Sequence, residues 1–526
     1  MKNGITFRFL NTLIIGLVTF SASGQEKQAQ QRPRLVVGIV VDQIRTDYLD
    51  YLKSMFGENG FRLLMDNGAY FKDLDFKIDN ADIASGTAMI ATGAYPAANG
   101  IPAANVIDRQ TKRLMPSLLD GNTLSPARLR LSTIADEIAV DGIGLGAIHS
   151  IAADPQQAVL LAGHAGGSAV WIDEKSPSWT SSSYFGQLPQ PAASRNRGKL
   201  SLSARIDTMH WTPSRPLADY PGIPAQKKYY DFRYTFPSSD KNSLERFAIS
   251  PLANREVTAL AADYIRSPSL GKRGDVIDML SIGYSLGPVP YIKDGDCRLE
   301  LEDAYLRLDS DLSRLFSTIE SSVGLDNTLI YLLPTGHFDD TAIPDPKYRI
   351  PTGEFSAMRA GSLLNSYLCA KYGAADYVDF FDGTHLYLGA DAIRAASSPA
   401  EMIAADAASF LSRMSGVRSA RTISEIISSD DPELRAKALS YDPSSAPDII
   451  VEVMPGWVLN IDTTYPQVKK PVRINAVSYP GFILSPAVER KVIGTPTEAV
   501  AITPTISQIL RIRGPNGASA RPIPSI

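Results

Sequence analysis

The chain has 526 residues, of which 44% are hydrophobic and 21% are charged. This composition, without a long polar low-complexity tract, predicts a globular protein with large buried cores and excludes an intrinsically disordered chain. The formal net charge is −4 and no basic cluster stands out. The electrostatic footprint of a nucleic-acid-binding protein is therefore missing.

The N-terminus carries a predicted secretory signal peptide over residues 1–24. Lys2 and Arg8 flank the apolar run FLNTLIIGLVTF, and the small residues SASG follow it. The apolar run is too short for a comfortable membrane span, and we place cleavage near Ala22 to Gly24. The mature protein is expected to be periplasmic or secreted, with no transmembrane domain. The alternative is an uncleaved N-terminal anchor.

The predicted domain, residues 33–526, begins with a buried strand over residues 34–42, RLVVGIVVD. Its β-branched run ends in a carboxylate, which lies where open α/β sheets bind ligands. A predicted helix, NGFRLLMDNG, follows. The next stretch, NADIASGTAMIATGAYP, predicts a tight loop that leads into a helix of small residues. The unpaired N–H groups at a helix start favour an anion, so an enzyme often places a nucleophile there.

The following segments predict an alternation of strands and helices. GIGLGAIHSI is predicted to be a strand, and AVLLAGHAGGSAVWID a strand with a glycine-rich turn. Residues 175–250 have neither helical nor strand periodicity, and we predict an insertion or lid outside the core. The core resumes with a helix (NREVTALAADYIRS), a strand (DVIDMLSIGYS), an amphipathic helix (RLELEDAYLRLDSDLSRLFSTIESS) and a strand (NTLIYLLPTGH). This alternation predicts a doubly wound α/β fold with a mostly parallel sheet.

Residues 354–460 are predicted to form a small α+β subdomain, from HLYLGA, AEMIAADAASFLSRM, VRSARTISEI and DIIVEVMPGW, and AVAITPTISQILRI adds a last helix. Cys297 and Cys369 are the only cysteines in the chain. Two cysteines exclude a zinc site of the clustered-cysteine type. Whether they pair stays open at this point, because a disulfide needs Cα atoms within about 7 Å.

These segments, in this order, resemble the alkaline phosphatase superfamily. The resemblance is to the secreted phosphate-irrepressible alkaline phosphatases, near the type I phosphodiesterase/nucleotide pyrophosphatase branch. VVGIVVDQIRTDYL resembles that family's first metal-ligand strand, and ATGAYPAANGI resembles the end of its nucleophile helix. LLAGHAGGSAVWIDEKSPSWTSSSYF, LEDAYLRLDSDLSRLF, DIIVEVMPGWVL and AVAITPTISQILRIRGPNGASARPI resemble its fold-specific segments, so the resemblance covers nearly the whole mature chain.

The resemblance implies the alkaline phosphatase fold, here with an inserted lid and a small subdomain. It also implies a phosphoester hydrolase with two metals, usually zinc, held by three Asp and three His. The nucleophile of such an enzyme is a Thr or Ser at a helix N-terminus. Each of these positions is compared with the present chain below.

The nucleophile position is substituted in this chain. Alignment without gaps places Asp42 on a ligand of the second metal and Ile83 on the nucleophile. Ser85 and Thr87 are nearby hydroxyls, but each helical step turns a side chain by about 100°. Neither hydroxyl simply replaces the missing nucleophile, so no catalytic residue is predicted and these two are fallbacks only.

The positions that would contact phosphate are also substituted. The family's Asn falls on Ala104, and its Lys-x-Arg pair falls on Asp154 and Gln156. A carboxylate thus stands in place of a phosphate-binding cation and should repel an anionic substrate.

The metal ligands are mostly absent. The Asp-x-x-x-His pair of the first metal falls on Pro288 and Ile292, and the family's last His falls on Ser478. The Asp-His pair of the second metal falls on Gly336 and His337, so only the histidine is retained. A three-histidine metal centre would need an unfamiliar arrangement.

Asp42 and His337 are therefore the predicted remnant of one metal site. We expect this remnant to be weak or empty, with the two side chains hydrogen-bonded to each other or to nearby backbone. Asp339 or Asp340 would have to swing in to complete a single-metal site. No cofactor is expected, and zinc would be present only if the remnant binds it.

Three functional hypotheses follow. The first is a secreted or periplasmic pseudoenzyme that binds a protein, glycan or other ligand through the former cleft or the insertion, since a fold does not by itself imply an activity. The second is an active phosphomonoesterase or phosphodiesterase with relocated ligands. The third is a structural component of an envelope assembly.

Overall fold

The structure is a computed structural model that describes residues 32–79, 81–220, 232–274, 276–287, 297–338, 352–461, 468–473, 476–524 and 526. Its strands, in chain order, are β1 (Leu35–Asp42), β2 (Ala69–Phe71), β3 (Leu74–Asp75), β4 (Asn105–Asp108), β5 (Arg113–Pro116), β6 (Leu119–Asp120), β7 (Thr123–Leu124), β8 (Ile148–Ile151), β9 (Ser168–Ile172), β10 (Trp179–Thr180), β11 (His210–Trp211), β12 (Tyr234–Thr235), β13 (Asp278–Ser285), β14 (Thr328–Pro334), β15 (Glu354–Ser356), β16 (Val378–Phe381), β17 (His385–Leu388), β18 (Val417–Thr422), β19 (Ile449–Val453), β20 (Val458–Ile461), β21 (Val468–Pro471), β22 (Gly481–Leu484), β23 (Lys491–Ile493) and β24 (Thr497–Glu498).

The α-helices, in the same order, are α1 (Thr46–Leu52), α2 (Phe61–Asn67), α3 (Ile83–Thr92), α4 (Pro96–Asn99), α5 (Ile134–Asp141), α6 (Pro155–Ala162), α7 (Gln190–Arg195), α8 (Leu202–Arg205), α9 (Ser243–Ala248), α10 (Pro251–Arg266), α11 (Arg298–Ser322), α12 (Ala357–Tyr372), α13 (Ala390–Ala395), α14 (Ala400–Leu411), α15 (Ile423–Ser428), α16 (Pro432–Ala438) and α17 (Ile502–Leu510).

A nine-stranded sheet organises the fold, with the strand order β10-β9-β8-β13-β1-β14-β22-β2-β23. The five strands from β9 to β14 in that order are parallel to their neighbours, whereas β22 is antiparallel to both β14 and β2. β1 lies in the middle and pairs with β13 and β14, so that Asp42 at its end lies opposite Ser285. The predicted α/β class with a mostly parallel sheet is confirmed.

Helices cover both faces of this sheet, as a doubly wound fold requires. Successive side chains of β1 point to opposite faces. Val37 and Ile39 belong to the hydrophobic cluster that includes residues of α2, α10 and α11. Val36 and Val40 belong to the cluster that includes residues of α3, α5 and α17. The near-continuous apolar sequence of β1 follows from this burial on both faces.

Two predicted strands differ from the observed elements. The apolar run AVLLA is the second half of α6, which begins with Pro155 at its first position and has Asp154 as its N-cap. A short buried apolar run fits a strand and a buried helix equally well, and here the cap and the proline decide for the helix. Within GIGLGAIHSI only Ile148–Ile151 is a strand, because the preceding glycines form a turn.

The expectation that residues 175–250 lie outside the core is wrong for their aromatic side chains. Trp211, Phe236 and Phe247 are each at most 1% exposed and belong to the same cluster as Val37 and Ile39 of β1. The Trp211 indole N–H donates to Asp303 of α11 at 2.6 Å, which ties this segment to a long core helix. Residues 221–231 lie outside the described residues.

Residues 354–461 carry a four-stranded sheet with the order β16-β17-β19-β18, all antiparallel pairs, and helices α12 and α14 pack on it. The side chains of these elements form a hydrophobic cluster of their own. β15 and β20 join β21 in a separate three-stranded sheet.

The residues Pro33–Ile526 form one compact unit. The predicted signal peptide lies outside the described residues. No helix in the described part of the chain combines the length and the apolar character that a membrane span needs. Cys297 and Cys369 do not form a disulfide.

Candidate functional site

A cavity of about 550 Å³ lies at the carboxyl ends of the central parallel strands. Residues at the ends of β1 and β13 line it, together with the first residues of α3 and α6 and several residues of α9. Open α/β sheets bind their ligands at this edge. We call this cavity the cleft.

Asp42 and His337, the two predicted remnant ligands, meet in the cleft. The Asp42 carboxylate is only 4% exposed, and its Oδ1 accepts a hydrogen bond from the Thr335 hydroxyl at 2.6 Å. His337 Nδ1 lies 3.1 Å from the same oxygen, and the His337 backbone N–H donates to Thr335 Oγ1 at 3.3 Å. Asp42, Thr335 and His337 thus form a closed hydrogen-bonded group, which satisfies a buried carboxylate without a metal.

Thr335 is the residue that the sequence interpretation missed. It follows β14 directly and is fully buried. A threonine at the end of an apolar strand carries no catalytic signature, and only the position of Asp42 on the neighbouring strand gives its hydroxyl a partner.

Gly336 is the residue that the family resemblance aligns with the aspartate of the second metal. Its backbone has a φ of 71°, which a side chain rarely adopts. A Cβ added at Gly336 would lie 2.5 Å from Cγ of Phe76. The Phe76 ring therefore closes the space that an aspartate at this position would need.

Helix α3 begins at the cleft, as the small-residue stretch predicted. Ile83 is its first residue and lines the cleft as an aliphatic wall. The Ser85 hydroxyl is fully buried and lies 2.9 Å from the backbone N of Asp82, from which it accepts a hydrogen bond. The Thr87 hydroxyl donates to the Ile83 carbonyl at 2.5 Å. Both fallback hydroxyls are thus engaged within the helix.

Asp82 fills the anion position at the start of α3. Its Oδ1 accepts from the backbone N–H groups of Ala84 at 3.1 Å and Ser85 at 2.8 Å. Its Oδ2 accepts from the backbone N–H of Ala104 at 2.6 Å. A helix N-terminus favours a negative charge, and here the charge is supplied by the protein's own side chain.

Gly86 explains why the start of α3 is built from small residues. A Cβ at Gly86 would lie 1.8 Å from the carbonyl oxygen of Thr335, a backbone atom that cannot turn away. The helix therefore packs directly on the segment that carries Thr335 and His337.

Asp154 adds a second carboxylate at a second helix start. It is the N-cap of α6 and accepts from the Gln157 backbone N–H at 2.7 Å. Desolvation raises the pKa of Asp154 to about 6, and the negative charges of Asp42 and Glu174 act in the same direction. Gln156, at the other predicted phosphate-contact position, is buried.

The charges that line the cleft are mostly negative. Among the described residues, six carboxylates oppose one ammonium group and the His337 imidazole. The six are Asp42, Asp82, Asp154, Asp173, Glu174 and Glu245, and the ammonium is that of Lys241. A phosphate group entering the cleft would meet repulsion from most sides.

The described residues do not fit a two-metal centre. They contain no group of three or more His, Cys, Asp or Glu side chains placed to hold a metal ion. Ser478 is exposed, and its carbonyl accepts from the Thr46 backbone N–H at 3.0 Å. Residues 288, 292, 339 and 340, which the sequence analysis considered, lie outside the described part of the chain.

The remaining histidines bond to nearby groups of the protein. His149 Nδ1 lies 2.8 Å from the Ser168 hydroxyl, and burial lowers its pKa to about 4. His164 contacts Asp136 and the Leu129 carbonyl through its two ring nitrogens. His210 lies 3.2 Å from the Thr208 carbonyl, and His385 lies 3.2 Å from Asp382. None of these four lines the cleft as described.

The chain is similar to known proteins of one family. The family described as type I phosphodiesterase/nucleotide pyrophosphatase matches residues 36–218. A protein named calcium-transporting ATPase from Myroides odoratus is 27% identical, with 98% of both chains covered. Alkaline phosphatase PhoV of Synechococcus elongatus is 26% identical, with 83% of this chain and 84% of PhoV covered.

The similarity extends to solved structures. Alkaline phosphatase PafA of Elizabethkingia meningoseptica is 24% identical, with 98% of both chains covered. The crystal structure of wild-type PafA superposes with a TM-score of 0.80 at 22% identity, over 94% of this chain and 99% of PafA. The chain is thus similar over nearly its whole length to proteins of the alkaline phosphatase superfamily, and it shares the PafA fold.

Proposed function

We propose that this protein is an extracytoplasmic pseudoenzyme that binds a ligand in the cleft and does not hydrolyse phosphoesters. The observation that carries this proposal is the Asp82 carboxylate, which accepts hydrogen bonds from two backbone N–H groups at the start of α3 and from the backbone N–H of Ala104. An attacking hydroxyl and a bound phosphoryl group would need these donors, and an internal anion now holds them.

Two further features support the proposal. Ile83 presents an aliphatic side chain at the first position of α3 and offers no nucleophile. The position of Gly336 cannot take an aspartate while Phe76 stays in place, so the second-metal site has lost that ligand together with the space for it.

The ligand that suits this cleft is neutral or positively charged. In the cleft, six carboxylates outnumber the ammonium group of Lys241 and the imidazole of His337. This excess of negative charge disfavours the binding of a free phosphate or a phosphomonoester. A glycan, or a protein segment with a basic side chain, meets these requirements. The volume of about 550 Å³ lies in the usual range for binding sites of small molecules or single side chains.

Metal analysis and activity assays test the loss of catalysis. We expect the purified full-length protein to show no zinc-dependent turnover of p-nitrophenyl phosphate or bis(p-nitrophenyl) phosphate above that of the Asp42→Ala/His337→Ala double variant. Turnover that requires zinc and disappears in the double variant would overturn the proposal. It would instead support a hydrolase that uses Asp42 and His337 with Asp339 or Asp340.

A binding comparison tests the role of the cleft. Envelope extract is passed over the immobilised protein and over the Ile83→Arg variant, which would place a long cationic side chain in the cleft. We expect a component that the wild-type protein retains and the variant does not. Equal retention by both would argue for a surface outside the cleft, as in a component of an envelope assembly.

The proposed location is tested separately, by fractionation of cells that express the chain with a C-terminal tag. We expect the tagged protein in the periplasmic or secreted fraction. Recovery in the cytoplasmic fraction would contradict the extracytoplasmic part of the proposal without touching the loss of catalysis.

A further inference from the structure

A second cavity of about 500 Å³ lies outside the cleft, between α10 and α11. Four arginines line it: Arg195 at the end of α7, Arg255 and Arg266 on α10, and Arg314 on α11. It shares no lining residue with the cleft. We call this cavity the arginine groove.

The spacing of residues on α10 produces the groove. Arg255, Ala259, Ala262 and Arg266 follow one another at intervals of four, three and four, so they lie on one face of the helix. The two alanines leave space in the middle of this face, and the two arginines stand at its ends. From α11, Arg314 and Thr318 lie on the facing side, again four residues apart.

The positive charges of the groove exceed the nearby negative charges. Asp263 accepts from Arg195 Nε at 2.6 Å and lies 3.5 Å from Arg266 Nη1. Arg314 Nη1 lies 3.7 Å from Asp311 Oδ1, a longer and weaker contact. Arg255 is exposed and forms no ion pair with any described residue. Four guanidinium groups therefore share two carboxylates.

One hydroxyl group adds a donor to the groove. Thr258 of α10 and Ser317 and Thr318 of α11 line it, but each of their hydroxyls donates to a backbone carbonyl of its own helix. The Ser313 hydroxyl, which also lines the groove, has no hydrogen-bond partner among the described residues. Guanidinium forks with a nearby hydroxyl donor match the oxygens of phosphate and sulfate groups.

We propose that the arginine groove binds a small polyvalent oxyanion that carries two or more phosphate or sulfate groups. A ligand with two or more anionic groups would engage more of the four guanidinium groups than a single carboxylate would. The proposal concerns a site away from the cleft and stands whether or not the cleft hydrolyses phosphoesters.

Asp311 is compatible with such a ligand. It is 3% exposed and lines the groove, so its charge is poorly solvated. Burial raises the pKa of Asp311 to about 7, against the pull of Arg314 and Arg255. Near neutral pH part of the population carries a proton there, and a protonated carboxyl can donate a hydrogen bond to an oxyanion.

Isothermal titration of the full-length protein with tripolyphosphate, at neutral pH and low ionic strength, tests the site. We expect saturable binding to one site, with affinity that falls as salt rises. We expect the Arg255→Gln/Arg314→Gln variant to bind at least about tenfold more weakly, because two charge-assisted contacts are lost. A disulfated disaccharide, used as the second probe, distinguishes a sulfated source from a phosphorylated one.

Two control variants keep this experiment decisive. Arg418→Gln removes an exposed arginine of β18 that lines neither cavity, and Lys241→Gln removes the only ammonium described in the cleft. We expect wild-type affinity from both. The proposal is overturned if neither probe binds saturably, if the double variant binds as well as wild type, or if Lys241→Gln abolishes binding. Circular dichroism of each variant checks that it is folded.

Discussion

The cleft and the arginine groove are cavities of similar volume, about 550 Å³ and about 500 Å³, with opposite charge. The cleft lies at the edge of the sheet where this fold binds its ligands, yet six carboxylates line it. The groove lies between two helices and is lined by four arginines. A fold thus fixes where a cavity forms, whereas the side chains at each position set the charge of the ligand that it can take.

The contrast has a local physical cause. The cleft is built from helix starts, where unpaired N–H groups attract a negative charge, and Asp82 and Asp154 supply that charge internally. The groove is built from the sides of α10 and α11, whose backbone groups are already bonded within each helix. Its charge is therefore set by side chains alone, and its four guanidinium groups exceed the two carboxylates that pair with them.

Replacing Gly86 with valine is expected to have the largest effect, because it removes the packing on which the cleft depends. The new Cβ would lie 1.8 Å from the Thr335 carbonyl oxygen. We expect a loss of about 4 kcal/mol or more in the free energy of unfolding, or no folded protein. Urea denaturation measures it. Gly494→Ala is the matched control, since nothing lies within 4 Å of its Cβ; an equal loss in both variants would contradict the packing argument.

Asp311→Asn tests the groove through the pH dependence of stability. Burial raises the pKa of Asp311 from 3.8 to about 7; Arg314, Arg255 and Arg307 oppose this shift, and Glu256 adds to it. At pH values between 3.8 and about 7, Asp311 keeps its proton in the folded protein and has lost it in the unfolded chain, so the free energy of unfolding falls as pH rises. Denaturation at several pH values measures this.

The expected result has a definite sign. The Asp311→Asn variant should lack this contribution, so its unfolding free energy relative to wild type should rise between pH 4 and pH 7, by about 2 kcal/mol. A difference that stays constant over this range would show that Asp311 is ionised throughout. Asp141→Asn, which changes a carboxylate at the end of α5 that lines neither cavity, serves as the control.

Asp82→Ala tests whether an internal anion is what keeps phosphate out of the cleft. The variant loses two backbone hydrogen bonds at the start of α3 and one from the Ala104 N–H, and we expect it to unfold about 1 to 2 kcal/mol more easily. Asp82→Ala should also gain phosphate binding in the cleft. This binding should persist when Asp82→Ala is combined with Arg255→Gln/Arg314→Gln, because those two substitutions lie in the arginine groove. Asp431→Ala removes the N-cap of the exposed helix α16 and should lose stability without gaining phosphate.

Much of this architecture could be predicted from sequence, because the apolar periodicity of a long segment indicates its secondary structure. The helix predicted over RLELEDAYLRLDSDLSRLFSTIESS is α11, and the first strand differs from β1 by one residue. The apolar run of α6 was misassigned because burial on all sides removes periodicity. The aromatic residues of 175–250 were placed outside the core because irregular segments conceal which side chains turn inward.

The site shows the same division between local and tertiary information. The proximity of Asp42 and His337 was predicted from the family resemblance, which sets both residues on the same metal site, and the structure places them at the ends of the adjacent strands β1 and β14. The capping role of Asp82 had a local signal, an Asp three residues before Ser85, which together form a capping box. Thr335 had no such signal. The groove combines residues from 195 to 318 on three helices, and only the one-sided spacing on α10 was visible in the sequence.

Asp263→Asn should produce the smallest change in stability and distinguishes the two cavities most sharply. Asp263 pairs with both Arg195 and Arg266, so removing its charge would leave two guanidinium groups of the groove without a carboxylate. The ion pairs are partly exposed, and the variant should lose no more than about 1 kcal/mol of stability.

Its effect on binding should have the opposite sign to that of the Arg255→Gln/Arg314→Gln substitution. We expect tripolyphosphate to bind severalfold more tightly, measured by titration as above, because the ligand no longer competes with Asp263 for the two arginines. Asp240→Asn, which breaks an ion pair that lines neither cavity, should lose similar stability and leave affinity unchanged. Weaker binding in the Asp263 variant would mean that Asp263 orients the arginines for the ligand, and the groove would then act as a preformed fork whose geometry matters more than its net charge.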